Sequence, residues 1–189
     1  MTIVDIQNAI INADRIQIIG NNSQLQSKHD TLLSLSDYAG VIEYHPEELV
    51  MTVKAGTNMK QIKQVLADNG QALTFSSENA DKGTIGGAYA MGNADLRDAV
   101  LGVKIVDGQG KILNFGGQVM KNVAGYDVSR LLVGSQGKLA AICEISFKVL
   151  PQQYLTITKQ TGTVNNISPV VKRLERGLKA IFDPNDVFI

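Results

Sequence analysis

Two adjacent glycines, Gly86 and Gly87, follow a small hydroxyl residue in the turn Gly83-Thr84-Ile85-Gly86-Gly87. A backbone stripped of Cβ atoms lets N–H groups come close to an anion, which is how proteins cradle phosphates. The apolar run Ile16-Gln17-Ile18-Ile19 leads into a second turn of this kind, Gly20-Asn21-Asn22-Ser23. Two such turns on separate units suit the pyrophosphate of a dinucleotide. Neither is followed by Gly-Lys-Ser/Thr, and neither has the G-x-G-x-x-G spacing, so a Walker loop and a Rossmann turn are both excluded. A nucleotide site of another design is needed, with the stretch from Lys82 to Leu150 as its centre.

Bulk properties narrow the alternatives. A chain of 189 residues, 44% apolar, can bury one good core divided between two lobes. Eighteen basic residues balance eighteen acidic ones, so no net field draws the chain to nucleic acid or to an anionic membrane. A single cysteine, Cys143, excludes an intramolecular disulfide and a cysteine-based metal cluster, and fits a reducing compartment. Residues 1–13 lack the pattern of a secretory signal, and no apolar run is long enough to span a bilayer. A cytoplasmic protein with no metal site is expected.

Ile3, Ile6, Ile10 and Ile11 recur at helical spacing, and Arg15 to Ile19 reads as a buried strand. Val41–Tyr44 and Leu49–Val53 read as strands joined by a turn holding Pro46. Thr57 is expected to cap a helix from Asn58 to about Asn69, which Gly70 ends in the left-handed conformation. A first, small α/β lobe would close near Leu73, and Thr74 to Lys82 would link it to a second lobe. There, Asp107-Gly108-Gln109-Gly110 between two apolar runs predicts a hairpin, and Asp127 caps a short helix through Val133. Lys138 to Val149 predicts a long strand that Pro151 ends. Ser168 and Pro169 open a final helix whose apolar stripe holds Val170, Val171, Leu174, Leu178 and Ile181. The fold class expected is α+β: a small α/β lobe (1–73), a mixed, largely antiparallel sheet lobe with helices (74–151), and a connector with a C-terminal helix (152–189).

The order of these features resembles the FAD-binding domain of the p-cresol methylhydroxylase and vanillyl-alcohol oxidase type. Within that type it resembles the E-subunit family of bacterial glycolate oxidases. The carrying residues are Tyr44 to Val50, Ala55-Gly56-Thr57, Thr84 to Gly87, Arg97 to Gly102, the run Gly116 to Arg130, Gly134 to Gly137, and Lys148 to Pro151. Gly116 to Arg130 is the part that looks like the E subunit; the glycine turns look like the whole superfamily. The resemblance implies an FAD lying between two lobes. Gly20, Asn21, Asn22, Ser23 and Gln24 would line its pyrophosphate together with Thr84, Ile85, Gly86 and Gly87. Gly92 and Val100 would form the neighbouring wall, and Ile142 would meet the flavin or adenine through its backbone. Some members attach the flavin through a histidine in the first turn; Gly20 to Gln24 contains none, so non-covalent binding is implied.

The sequence departs from the family in four places. Members carry a large cap after the position of Pro151, whereas here only residues 152–177 precede Leu178 to Pro184, which resembles the family's C-terminal tail. The segment after Gly87 is shortened to Ala88–Leu96. Ala140 stands where glycine is usual, and the chain stops at Phe188-Ile189 without the family's Asn-Pro-Gly. The implied activity is that of an FAD-binding subunit of a glycolate-oxidase-like complex, which oxidises a 2-hydroxy acid by hydride transfer to flavin. Its implied partners are a larger flavoprotein subunit and an iron–sulfur subunit. The rival readings are a capless scaffold with weak or no FAD binding, and a generic nucleotide-binding module that leaves Gly116 to Arg130 unexplained. No catalytic residue is assigned. His29 and His45 read as solvated loop residues, Cys143 as a buried apolar one, and Asp127 and Tyr126 as a cap and a packed ring. Gly40, Gly56, Gly70, Gly108 and Gly110 read as turn glycines, and Lys172, Arg173, Arg176 and Lys179 as a solvated basic face.

Overall fold

A computed structural model describes residues 1–21, 31–75, 82–92, 94–118, 127–155 and 169–189. Its centre is β8 (Ala141–Pro151), long enough to pair along both edges. On one side lies β4 (Val50–Lys54), followed by β3 (Val41–His45); on the other lies β6 (Val100–Val106), followed by β7 (Ile112–Gly116). Short β5 (Gln71–Leu73) pairs with the end of β8, and every pairing in this six-stranded sheet is antiparallel. The expected hairpin is present: Gly110 has φ +77°, and the Asp107 carboxylate accepts from the N–H groups of Gln109 and Lys111.

The strand alternation of β8 sorts its side chains between two cores. Ile142, Ile145, Phe147 and Val149 join the larger, with Met51, Ile62, Leu66, Ile85 and Tyr89. Ala141 and Cys143 join a smaller one with Ile6, Ile10, Ile16, Leu35 and Phe188. A register shift between Lys104 and Ile105, opposite Glu144 and Ile142, makes this division possible. The larger core lies under α2 (Met59–Ala67), α3 (Ile85–Met91), α4 (Ala94–Ala99) and α5 (Val128–Leu131). The smaller is covered by α1 (Ile3–Ile11), a two-stranded parallel sheet of β1 (Gln17–Ile19) and β2 (Leu32–Ser34), and the C-terminal tail. A fully buried side chain of this size contributes about 1.5–3 kcal/mol, so the larger core carries most of the stability.

The α+β class and the antiparallel sheet agree with the sequence reading, but several details do not. Strands β3, β4 and β5, expected in the first lobe, pair into the same sheet as β6 to β8. Asn58, not Thr57, caps α2, its side chain accepting from Lys60 N–H at 2.8 Å. Thr57 is wholly buried and ties the Gly40 backbone to Lys54 through its hydroxyl. The glycine turn itself opens a helix, α3, and α4 follows it closely. In α6 (Pro169–Phe182) the expected stripe is only partly covered: Leu178 packs half-buried against the larger core, yet Leu174 and Ile181 are 62% and 70% exposed. Lys179, read as part of a solvated face, is half-buried and paired with Asp183.

Candidate functional site

A cleft opens between the small two-stranded sheet and α3. One wall runs from Ile18, near the end of β1, to Asn21, with Leu35 beside it. The opposite wall runs from Gly83 through Thr84, Gly86, Gly87 and Ala88 to Met91. Ala55, Ile142, Ala140 and the segment Gln136-Gly137 complete the lining.

The local sequence explains why α3 stands here. Thr84 is extended (φ −97°, ψ 159°), and its Oγ1 accepts from Gly87 N–H at 3.1 Å, an N-cap that starts the helix. Ile85 N–H donates to Thr57 O at 3.0 Å and Gly86 N–H to Ala55 O at 2.8 Å, stitching the helix start to the end of β4. Ile85 and Tyr89 then point into the larger core, both wholly buried. Asn21 reaches across from the other wall, its Nδ2 donating to Lys82 O at 3.2 Å.

These bonds correct the physical reasoning behind the glycine turn. The N–H groups of Ile85, Gly86 and Gly87, expected to face an anion, all have partners within the chain. The two glycines also differ. A Cβ on Gly86 would lie 2.8 Å from Ala55 Cβ and 2.9 Å from Ala55 O, so Gly86 permits helix and strand to pack. A Cβ on Gly87 would meet only Thr84 Oγ1, at 3.4 Å, so Gly87 keeps the cleft wall low. Gly20 supplies close approach between the walls, since a Cβ there would lie 2.6 Å from Thr84 Oγ1.

Of the twelve residues singled out in the sequence, the cleft brings together Gly20, Asn21, Thr84, Gly86, Gly87 and Ile142. Ile85 and Val100 are core residues away from the lining. Gly92 ends α3 at φ +62°, packed against Gly134 with 2.7 Å between its would-be Cβ and Gly134 N. Asn22, Ser23 and Gln24 lie outside the described residues, as do His29 and Tyr126. Sequence reasoning missed Leu35, Ala55, Met91 and Gln136 as lining. Gln136 carried a signal: it sits in the family-like run Gly134 to Gly137 and adopts φ +56°, unusual for a residue with a side chain.

No described residue lining the cleft is charged, and most are Gly, Ala, Ile or Met. Such a surface admits a flat ring system closely and leaves an anion to be met by dipoles. Among the described residues the reactive side chains are elsewhere. Burial pushes the Cys143 thiol up to about 12, with the Glu144 carboxylate adding to the effect, so it is no nucleophile. His45, at the end of β3, lies 3.9 Å from both the Glu43 and the Glu47 carboxylates. Asp127 accepts from Arg130 N–H at 3.1 Å as the cap of α5. Among the described residues no cluster of His, Cys, Asp and Glu could hold a metal, and no helix is long and apolar enough to cross a membrane.

Comparison with known proteins matches this arrangement. The profile of the FAD binding domain family covers residues 6–116, which include both walls of the cleft up to Met91. Glycolate oxidase subunit GlcE of Escherichia coli is 45% identical over 129 residues, 64% of this chain and 37% of that subunit. Glycolate oxidase subunit GlcD of Bacillus subtilis is 31% identical over 59% of this chain and 26% of its own length. The D-lactate dehydrogenase of Archaeoglobus fulgidus is 32% identical over 59% and 27%. The matched part thus spans less than two-fifths of each of these relatives. A solved structure of alkyldihydroxyacetonephosphate synthase superposes on 78% of this chain and 30% of its own, with a TM-score of 0.64 at 17% identity, which shows a shared fold. With a domain profile spanning more than half of its length and the two-walled cleft that its glycine turns build, the chain belongs to the FAD binding domain family.

Proposed function

We propose that the cleft holds FAD non-covalently and that the chain serves as the FAD-binding subunit of a glycolate-oxidase-like complex. The observation that carries this reading is the 45% identity to a glycolate oxidase subunit over a stretch of 129 residues. The pyrophosphate would lie where the walls meet, against Gly20, Asn21, Thr84 and the open face of Gly87. Asn22, Ser23 and Gln24 would continue that turn. The Thr84 hydroxyl, whose oxygen accepts from Gly87, would donate its proton to a phosphate oxygen. Ile142, Met91 and Leu35 offer an apolar surface to a ring. Ile85, Gly92 and Val100 would act at second hand, by anchoring α3 and the start of β6.

Bound flavin supplies a hydride acceptor for a 2-hydroxy acid. Among the described residues, the lining of the cleft holds no cation to bind a carboxylate and no base to take a hydroxyl proton. Orientation can supply about 7–11 kcal/mol of such catalysis, so those groups would come from partners, a larger flavoprotein subunit and an iron–sulfur subunit, in the cytoplasm. The isolated chain should therefore leave an electron-accepting dye unreduced with glycolate or lactate, and reduce it only in the assembly. Steady dye reduction by the chain alone would refute this division of labour. The internally satisfied start of α3 favours one rival, a scaffold that folds without FAD. That reading predicts assembly with the same partners by a chain that takes up no flavin.

A further inference from the structure

The tail after α6 contains a carboxylate, Asp183, that is 2% exposed. It accepts from Val187 N–H at 2.9 Å, from Phe188 N–H at 2.8 Å, and from Lys179 Nζ at 2.6 Å. The hairpin turn of β6 and β7 backs it: Gly108 N–H donates to Phe182 O, and a Cβ on Gly108 would lie 2.0 Å from Asp183 Oδ1. Gly108 is therefore required by this carboxylate and not by turn geometry.

The curl imposed on the tail sets it along β1. Ile16 N–H donates to Val187 O at 2.7 Å, and Ile189 N–H donates to Ile16 O at 3.2 Å. Among the described residues, strand β1 is thus paired over three residues with β2 on one edge and joined by this tail on the other, before it ends at Gly20. Lys179 works in the other direction. Its Nζ donates to Lys138 O at 2.9 Å as well as to Phe188 O at 2.5 Å. Lys138 adjoins Gln136 and Gly137 of the cleft lining, and a Cβ on Gly137 would lie 3.5 Å from Ile18 Cβ, where this segment meets β1.

We propose that the Lys179–Asp183 pair sets the spacing between β1 and the Gln136–Ala140 segment, and so tunes FAD affinity without touching the ligand. Both are positioning residues. The effect on affinity rests on the reading of the cleft given above, whereas the effect on the walls does not. Breaking a buried pair leaves an uncompensated polar group and is costly locally.

The test uses the full chain with three substitutions, Asp183→Asn, Lys179→Met and Lys179→Arg. Two quantities are read: FAD affinity by equilibrium dialysis, and amide hydrogen exchange in the absence of flavin. Asp183→Asn and Lys179→Met should each weaken FAD binding about tenfold and speed exchange at Gln17–Gly20 to a similar degree, with Val53 and Ile145 unchanged. Lys179→Arg should restore both. Unchanged exchange at Gln17–Gly20 in both disruptive variants, or an equal acceleration across β4 and β8, would overturn the proposal. So would normal FAD affinity with a loosened β1. If the unmodified chain takes up no FAD, the cofactor reading fails while exchange still decides whether the pair holds the walls. Should Asp183→Asn fail to fold, Lys179→Met carries the test, since it leaves the backbone bonds to Asp183 in place.

Discussion

The two walls of the cleft are built to different standards. The α3 wall rests on the larger core through Ile85 and Tyr89 and is bonded to Thr57 and Ala55, so every N–H of its first turn has a partner. The β1 wall is a three-residue strand over the smaller core, with Ile18 and Ile19 half-buried and its outer edge completed by the tail. Stability is rarely uniform across a domain, and here the two walls differ. The α3 wall is the more firmly anchored of the two, and the β1 wall the more lightly held.

Substitutions on the α3 wall should break this contrast most severely. Gly86→Val would drive a branched side chain into Ala55 Cβ and O, which lie 2.8 and 2.9 Å from a Cβ at that site. A loss of about 3 kcal/mol is expected, read as a shift of the urea midpoint. Thr57→Val removes a buried hydroxyl that accepts from Gly40 N–H at 2.9 Å and donates to Lys54 O at 2.6 Å, and should cost about 1–3 kcal/mol in the same assay. Gly87→Val should change stability by less than about 1 kcal/mol, because its Cβ meets only Thr84 Oγ1, while abolishing flavin retention. Equal damage to folding by Gly86→Val and Gly87→Val would erase the distinction between a packing glycine and a cleft glycine.

Cys143 offers a milder probe of the lighter wall, since it is buried in the smaller core beneath β1 and the tail. Reaction with a disulfide reagent should be slow in native protein yet faster than global unfolding allows, reporting local opening of that unit. Burial also fixes the sign of a pH effect. The folded thiol is pushed up from 9.0 to about 12, so its contribution to stability is whole below pH 9 and is lost as pH rises toward 12. Replacing Cys143 by Ala should flatten the alkaline decline measured by denaturant titration.

How much of this was legible in the sequence depended on how local its cause was. The β6–β7 hairpin, α1, β4 and β8 follow from turn residues and periodicity, because their instructions lie within a few positions. Helix α3 was read as a turn since Gly86 and Gly87 are poor helix formers; its stability comes from Thr57 and Ala55, remote in sequence. The single sheet shared by β3 to β8 was hidden for a similar reason, because the pairing of β4 with β8 joins Val50 to Lys148. Gly56, read as a turn glycine, is fixed by crowding, a Cβ there falling 2.0 Å from Leu35 O. Within the site, the glycines and Thr84 announced themselves. Ala55, Leu35 and Met91 did not, since small and apolar residues have no motif of their own.

The most direct measurement is the uptake of FAD by the purified chain. Equilibrium dialysis against FAD should saturate at one flavin per chain, and acid precipitation should then release all of it to the supernatant, since no histidine lies at Gly20 to Gln24 to form a bond. Gly87→Val, equally folded by circular dichroism, should take up none. A folded chain that binds no FAD, or flavin that stays with the acid pellet, would contradict the account.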